Sequence, residues 1–424
     1  MNKKQKKQRN ANNYSEKYLQ IEELGWHGDG IANLDGKRIY VPFTLAGESI
    51  HAMVMGSRAR LLEILRASPD RVDPQCKYHG LCGGCAVQHF NFELYSQWKR
   101  QVIVHALSNR QIKAPVEHLI DGHGSGRRRV ALHVHKVKGQ TRVGFMQARS
   151  HNLVKINSCP ILAPELARAT DIAGNIAEYL LNTAKTLNIQ LTVSETGLDC
   201  NVIGAGELDL SARMGLSDCA SNYDLARLSV GDDVVLEHRA PIITFGAGKV
   251  VLPPRSFLQA TFAGEEILSN IILDGVSGSN HIADLYCGLG PFSMRMAAHS
   301  SVMSFDSDPL SISALKKAAQ NVQGQKPVIA KVRDLSENPL DKNELSSFDA
   351  VVFDPPRAGA ELQAREIASS EVSRVIAVSC NAATFARDAS ILIDGGYRLD
   401  KVAPVDQFRF TSHVEMVGVF DRVH

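Results

Sequence analysis

Cys380 ends an apolar run, R-V-I-A-V-S-C-N, and precedes a helix-like segment, N-A-A-T-F-A-R-D. Taken alone, such a thiol is most simply a small buried residue. At the mouth of a site it is a nucleophile, so its meaning depends on what converges beside it. A second apolar run, F-D-A-V-V-F-D-P-P-R-A-G, carries Asp354 and Arg357 across two prolines that stiffen the loop. A third grouping lies in P-Q-C-K-Y-H-G-L-C-G-G-C-A-V-Q-H, where Cys76, Cys82 and Cys85 have C-x5-C-x2-C spacing and Cys159, in N-S-C-P-I-L, supplies a fourth thiol. Thiolates repel one another unless a cation or cluster neutralises them, and Gly83 and Gly84 let the backbone wrap tightly around it. A metal centre accounts for this grouping, and the spacing suits four-thiolate zinc and an iron–sulfur cluster equally. Cys200, Cys219 and Cys287 read as small buried residues.

The elements that must position these groups follow from the pattern around them. In H-I-A-D-L-Y-C-G-L-G-P-F-S a strand-like run ends at Asp284 and Tyr286, and Gly288 and Gly290 make a tight turn into a helix. The third glycine of a dinucleotide fingerprint is missing, since Ser293 stands there. S-V-M-S-F-D ends in Asp306 one βα unit later, where a carboxylate can accept from ribose hydroxyls. A-K-V-R-D-L places Asp334 after another possible strand, in reach of an adenine amino group. Each acid reads equally well as a loop cap. Glycine turn and acid together favour an adenosine-containing ligand, either S-adenosylmethionine or NAD. From about residue 251 onward, apolar runs alternate with helical segments, the pattern of a parallel sheet covered by helices. Such sheets bind ligands at the carboxyl ends of their strands, where Asp354, Arg357 and Cys380 converge.

At 424 residues the chain is long for one core, and its organisation changes along its length. Residues 1–13 form a basic tail with Lys3, Lys4, Lys6, Lys7 and Arg9; residues 14–67 hold short strand-like pieces such as R-I-Y-V-P-F and I-H-A-M-V-M between glycine turns, a small β-barrel. Residues 69–250 carry the cysteine cluster in a mixed α+β region, and residues 251–424 form the α/β domain. The net charge of +2 does not by itself imply a polyanionic partner, although Arg127, Arg128 and Arg129 make a second basic run. No apolar window reaches membrane-spanning length and the charged N-terminus leads into no apolar core, so a cytoplasmic protein without a membrane partner is expected.

These motifs resemble, in order and over nearly the whole chain, the S-adenosylmethionine-dependent RNA 5-methyluridine methyltransferases. The residues that carry the resemblance are D-L-Y-C-G-L-G at 284–290, D-P-P-R-A-G at 354–359, S-C-N-A-A-T-F-A-R-D at 379–388 and H-V-E at 413–415. C-x5-C-G-G-C with the later S-C-P is similar to the family's four-cysteine iron–sulfur site, which implies a 4Fe-4S cluster rather than zinc on Cys76, Cys82, Cys85 and Cys159. The first barrel resembles the OB-like TRAM domain, and barrel plus cluster looks like the branch acting on 23S ribosomal RNA more than the transfer-RNA branch. The implied fold class is multidomain α/β plus β: an OB-like barrel, a central α+β domain with a metal cluster, and a Rossmann-like methyltransferase domain. The resemblance further implies an RNA partner, a monomer, Cys380 as nucleophile, and Glu415 in H-V-E-M-V-G-V-F as base. It assigns S-adenosylmethionine contacts to Gln259, Tyr286, Asp306, Asp334 and Asp354, and a stacking platform for a flipped base to Phe257.

The chemistry agrees with that carry-over. Carbon 5 of uracil is too poor a nucleophile to take a methyl from a sulfonium directly. A thiolate adding at carbon 6 makes an enolate whose carbon 5 attacks the methyl, and a base must then remove the carbon 5 proton so that the thiol is expelled. Several positions depart from the family pattern: Ala382 where proline is usual, Pro291 where asparagine is common, Asp306 for glutamate, and Arg409-Phe410 where proline-histidine is frequent. None removes a reacting group. Two rivals remain at this level: an amino-group methyltransferase with an Asp-Pro-Pro loop, which needs no thiol, and a non-catalytic RNA-binding protein on the same fold.

Overall fold

The computed structural model describes residues 14–137, 139–180 and 186–423. The basic tail expected at 1–13 lies outside the described residues. The chain forms two compact units, one from residues up to 99 with 146–151 and 409–412, the other from 100–145, 152–408 and 413–424.

In the first unit β1 (Ser15–Leu24), β2 (Gly30–Leu34), β3 (Lys37–Val41), β4 (Ser49–Met55) and β5 (Arg58–Arg66) close into a barrel in the order β1-β2-β3-β5-β4. β4 returns to pair antiparallel with β1, Tyr18 opposite His51, which leaves no free edge. Alternation decides what faces inward: Leu19 and Ile21, Ile39 and Val41, and Ile50, Ala52 and Val54 are two apart on their strands and share one buried core. Glu48, fully buried, accepts a two-pronged ion pair from Arg71 at 2.6 and 2.8 Å and the N–H groups of Leu45 and Ser68. That fixes the start of the cysteine-bearing segment against the barrel. Within the same unit Phe410 N–H donates to Tyr95 Oη at 2.9 Å, and its carbonyl accepts from Ala86 N–H at 2.8 Å.

The second unit opens with a sheet of β6 (Arg129–Val137), β7 (Gln140–Met146), β8 (Leu153–Lys155), β9 (Thr186–Ser194), β10 (Gly197–Ile203), β11 (Arg227–Val230) and β12 (Asp233–Glu237), ordered β12-β11-β10-β9-β6-β7-β8. The amphipathic helix Ala169–Leu180 buries Ile172, Ala173, Ile176, Ala177 and Leu180, the i, i+1, i+4 stripe of a helix lying on a sheet. A hairpin, β13 (Ile242–Phe245) with β14 (Gly248–Val251), leads into the last sheet.

That sheet comprises β15 (His281–Leu285), β16 (Ser301–Asp306), β17 (Val328–Val332), β18 (Ala350–Phe353), β19 (Arg374–Ser379), β20 (Tyr397–Val405) and β21 (Glu415–Arg422), in the order β17-β16-β15-β18-β19-β21-β20. β15 to β19 are parallel, and β21 runs antiparallel between β19 and β20. The parallel sheet expected from the apolar runs is present, with an antiparallel pair added at one edge. Both faces are buried. Leu285, Phe305, Phe353 and Val375 pack on one side, and Ile282, Val302, Val352 and Ile376 on the other, so these strands read as continuous apolar runs. Because the strand order turns back at β15, the crevice between the carboxyl ends of β15 and β18 is the topological switch point. Among the described residues, no helix is long and apolar enough to cross a membrane.

Candidate active site

Each strand delivers one group to this edge. Past β15, Tyr286 adopts φ 61°, and Gly288 and Gly290 follow at 52° and 79°. A Cβ on Gly290 would lie 2.4 Å from Leu315 Cδ1, so neither the backbone angle nor the packing admits another residue. Asp306, at the end of β16, holds the turn: Gly288 N–H donates to Oδ2 at 2.8 Å and Asp308 N–H to Oδ1 at 2.9 Å. Beneath the turn Asp284 is buried and accepts from the Ser293 hydroxyl, while its Oδ1 has no hydrogen-bond partner among the described residues. Burial, with the charges of Asp354 and Asp306, pushes its carboxyl up to about 7 against the Ser293 hydrogen bond.

Asp354 follows β18, and its N–H donates to Leu285 O on β15. The Asp-Pro-Pro-Arg loop after it is pinned to the helix Ala382–Asp394: Ala360 N–H donates to Asp388 Oδ2 at 2.7 Å, Arg387 to Ala358 O at 3.0 Å, and Asn381 Nδ2 to Arg357 O at 3.2 Å. Gly359, at φ 78°, presses against that helix, where a Cβ would lie 2.4 Å from Arg387 Nη2 and 2.7 Å from Asp388 Oδ2. Cys380 is one residue past β19, half-buried, just before Asn381, which caps the helix by accepting from Ala383 N–H. Glu415 begins β21 and is buried. Ser379 pairs with Met416, so Cys380 and Glu415 occupy the next register step on adjacent antiparallel strands.

A hydrogen-bonded chain joins the carboxylates. Gln259 Nε2 donates to Asp354 Oδ2 at 2.8 Å; Gln407 Nε2 donates to Gln259 Oε1 at 2.7 Å and to Glu415 Oε2 at 2.8 Å. Burial above all, then the charge of Asp354, pushes Glu415 up to about 8, opposed by the Gln407 hydrogen bond and Arg357. Burial likewise lifts Asp354 to about 7 against the Gln259 hydrogen bond. The Cys380 thiol is raised by burial and by Glu415 and Asp354, and lowered by Arg357. These buried carboxyls are held near the point of ionisation, and a cationic ligand such as a sulfonium would favour their charged forms.

The remaining sequence candidates are placed as follows. Tyr286 is half-buried, and burial lifts its phenol to about 12. Asp334 sits at the end of the β17 turn, exposed, and accepts from both Ser336 N–H (3.0 Å) and Ser336 Oγ (2.6 Å), the loop-capping arrangement. Phe257 is 69% exposed, with the Arg129 guanidinium 5.7 Å from its ring centre. The Arg127–Arg129 run does not act as a uniform phosphate patch. Arg128 is fully buried, paired at 2.5 Å with Glu265, which also takes Arg295 at 2.9 Å, and its Nε donates to Gln259 O at 2.8 Å. Its charge is satisfied inside the protein, and its work is to fix the backbone at Gln259. Cys200, Cys219 and Cys287 are buried, as their surroundings suggested.

Cys76, Cys82, Cys85 and Cys159 are half-buried and not disulfide-bonded. Gly84 N–H donates to Cys82 Sγ at 3.4 Å, and burial and the neighbouring Cys76 push that thiol up despite it. Reduced thiols that meet a backbone donor and perturb one another are the donor chemistry a thiolate-bound centre uses. Among the described residues, however, no group of three or more His, Cys, Asp or Glu side chains is arranged to hold a metal ion.

Sequence reasoning missed Gln407 and the inward role of Arg128. The signal for Gln407 was slight: a polar residue following the apolar run of β20, in V-D-Q-F.

Similarity to known proteins agrees with this geometry. A family model described as tRNA (Uracil-5-)-methyltransferase matches residues 256–423. A protein of Brucella suis named as an uncharacterized RNA methyltransferase is 40% identical over 95% of this chain and 97% of its own, and one of Caulobacter vibrioides is 41% identical over 95% and 99%. The 23S rRNA (uracil(1939)-C(5))-methyltransferase of Shewanella amazonensis is 28% identical over 96% of both chains. The crystal structure of Pyrococcus abyssi tRNA (uracil-54, C5)-methyltransferase in complex with S-adenosyl-L-homocysteine shares the fold, with a TM-score of 0.71 and 23% identity over 95% of this chain and 100% of that one. The amino-group methyltransferase and the non-catalytic binding protein are thereby set aside, and the chain belongs to the S-adenosylmethionine-dependent RNA (uracil-5-)-methyltransferase family.

Proposed function

We propose that the enzyme methylates carbon 5 of a uridine in 23S ribosomal RNA through a covalent adduct on Cys380 that Glu415 resolves. The observation that carries this reading is the β19–β21 pairing, which sets a half-buried thiol beside a buried carboxylate at the carboxyl edge of the sheet. Cys380 Sγ bonds to carbon 6 as the C5=C6 pair moves toward the C4 carbonyl, and carbon 5 becomes the nucleophile. Bound S-adenosylmethionine supplies an electrophilic methyl on a sulfonium. Glu415 then takes the carbon 5 proton, the C5=C6 bond re-forms, and the thiolate leaves. Arg357 favours the thiolate against two neighbouring carboxylates.

Gln259, Tyr286, Asp306, Asp334 and Asp354 hold the cofactor, Asp306 also fixing the glycine turn. Exposed Phe257 is the platform for the flipped uracil. The N-terminal barrel serves as a TRAM-type RNA-binding domain, in a monomer laid out as barrel 14–67, central domain 69–250 and methyltransferase domain 251–424. Cys76, Cys82, Cys85 and Cys159 hold a 4Fe-4S cluster with a structural role. The 23S rRNA methyltransferase of Shewanella amazonensis supports the ribosomal substrate, since the likeness runs through barrel and cysteine segment alike.

Mapping 5-methyluridine by mass spectrometry in ribosomal and transfer RNA from a strain lacking the gene tests the substrate. The mark is expected to disappear from 23S rRNA; its loss from transfer RNA alone would overturn that assignment. Anaerobic purification with visible absorption and metal analysis tests the cluster, with stoichiometric zinc contradicting it.

A further inference from the structure

Gln407 lies just beyond β20, wholly buried, with every polar valence of its amide directed inward. Its Oε1 accepts from Ala260 N–H at 2.9 Å; its Nε2 donates to Gln259 Oε1 at 2.7 Å and to Glu415 Oε2 at 2.8 Å. These bonds admit only one polarity. A backbone N–H can only donate, so the oxygen of Gln407 must face Ala260, and both amide hydrogens must then face Gln259 and Glu415. Gln259 Oε1 is thereby an acceptor, which turns its Nε2 to Asp354 Oδ2 at 2.8 Å. The frame around the chain is tight. Arg128 Nε donates to Gln259 O at 2.8 Å, and a Cβ on Gly264 would lie 2.8 Å from Gln407 Cβ.

The consequence falls on Glu415. An oxygen already accepting from an amide N–H is the less basic of the pair, because that bond draws on its lone-pair density. The incoming proton is favoured on Oε1. The other charged or titratable groups facing Glu415 are Asp354 at the end of β18, Arg357 in the loop after it and Cys380 at the end of β19. Of these, Asp354 and the Cys380 thiolate disfavour the ionised base and Arg357 favours it.

We propose that Gln407 is a positioning residue for proton removal: by donating to Glu415 Oε2 it favours the ionised form of the base, leaves Oε1 to take the carbon 5 proton, and links the base through Gln259 to Asp354. The proposal rests on the reading of Glu415 as the base. In the step concerned the C5–H bond breaks, an O–H bond forms on Glu415 Oε1, the freed pair makes C5=C6, and the C6–S pair returns to Cys380 as thiolate.

The test follows formation and resolution of the protein–RNA adduct on denaturing gels between pH 6 and 10. The full-length enzyme is used with total RNA from a strain lacking the gene and tritium-methyl S-adenosylmethionine. Gln407→Met keeps the size and removes the donors. Adduct formation is expected to stay within a few-fold of wild type, while resolution at pH 7 slows about tenfold or more and recovers as pH rises. Its rising limb moves alkaline by about one unit, a tenfold change per unit. Should Gln407→Met fail to fold, Gln407→Leu, which likewise lacks the donors and adds no charge, carries the same expectation. If Glu415→Gln traps the adduct but Gln407→Met resolves it with the wild-type pH limb, or slows formation and resolution equally at every pH, Gln407 has no positioning role. If Glu415→Gln traps nothing, the reading of the base fails, and the inference with it.

Discussion

At the scale of single residues, Cys380 is a thiol held in its neutral form. Burial and two carboxylates raise it, while Arg357 and a backbone hydrogen bond pull the other way. Its alkylation by iodoacetamide should therefore keep rising with pH beyond the point where an ordinary cysteine is fully ionised. Arg357→Met should move that profile further alkaline, by about one unit if the pair is worth on the order of 1 kcal/mol; a profile unchanged by Arg357→Met would remove Arg357 from the activation of the thiol. Arg128 acts differently. Its ion pair with Glu265 is buried, and taking away one partner strands the other, so Arg128→Met is expected to cost about 3–5 kcal/mol in denaturant unfolding. A loss below about 1 kcal/mol would mean that Glu265 is satisfied by Arg295 alone.

The elements explain why these residues meet. Parallel strands β15, β16, β18 and β19 all end at one edge, and antiparallel β21 begins there, so a single sheet collects residues spread from 284 to 415. The loop after Asp354 owes its shape to Gly359, at φ 78° against the helix Ala382–Asp394. Gly359→Ala should destabilise by roughly 1–3 kcal/mol and displace Arg357, measured as a lower denaturant midpoint together with slower Cys380 alkylation. Much of this was legible in the sequence: glycine and proline punctuation marked the turns, and apolar runs ending in Asp284, Asp306, Asp354 and Cys380 marked the strand ends. Gln407 and Arg128 were not legible, because their meaning lies in partners 148 and 137 residues away in sequence. A run of three arginines reads as one basic patch, but Arg128, just before β6, is fully buried on Glu265 while Arg129 opens the strand with its guanidinium over Phe257. Asp334 could be read two ways, and its own turn takes up one carboxylate oxygen.

For the whole molecule, buried carboxylates make stability depend on pH in a definite direction. Asp284 at about 7, Asp354 at about 7 and Glu415 at about 8 all bind protons more tightly folded than unfolded. Their contribution is complete below the ordinary carboxylate range and is lost progressively from there as pH rises through 7 to 8, at up to about 1.4 kcal/mol per pH unit for each proton, levelling off above. Thermal unfolding of the larger unit should accordingly move to lower temperature as pH rises from about 5 to about 8, and Asp284→Asn should flatten the trend; a midpoint rising over that range would contradict the burial described here. The central claim is covalent: one thiol attacks the base and one carboxylate releases it. It is tested most directly by incubating Glu415→Gln with S-adenosylmethionine and RNA from a strain lacking the gene, then resolving the mixture under denaturing conditions. The predicted result is an RNA-bound protein band that survives denaturation, needs S-adenosylmethionine and is absent from Cys380→Ala/Glu415→Gln. Free enzyme alone, alongside uridine methylated at the wild-type rate, would contradict it.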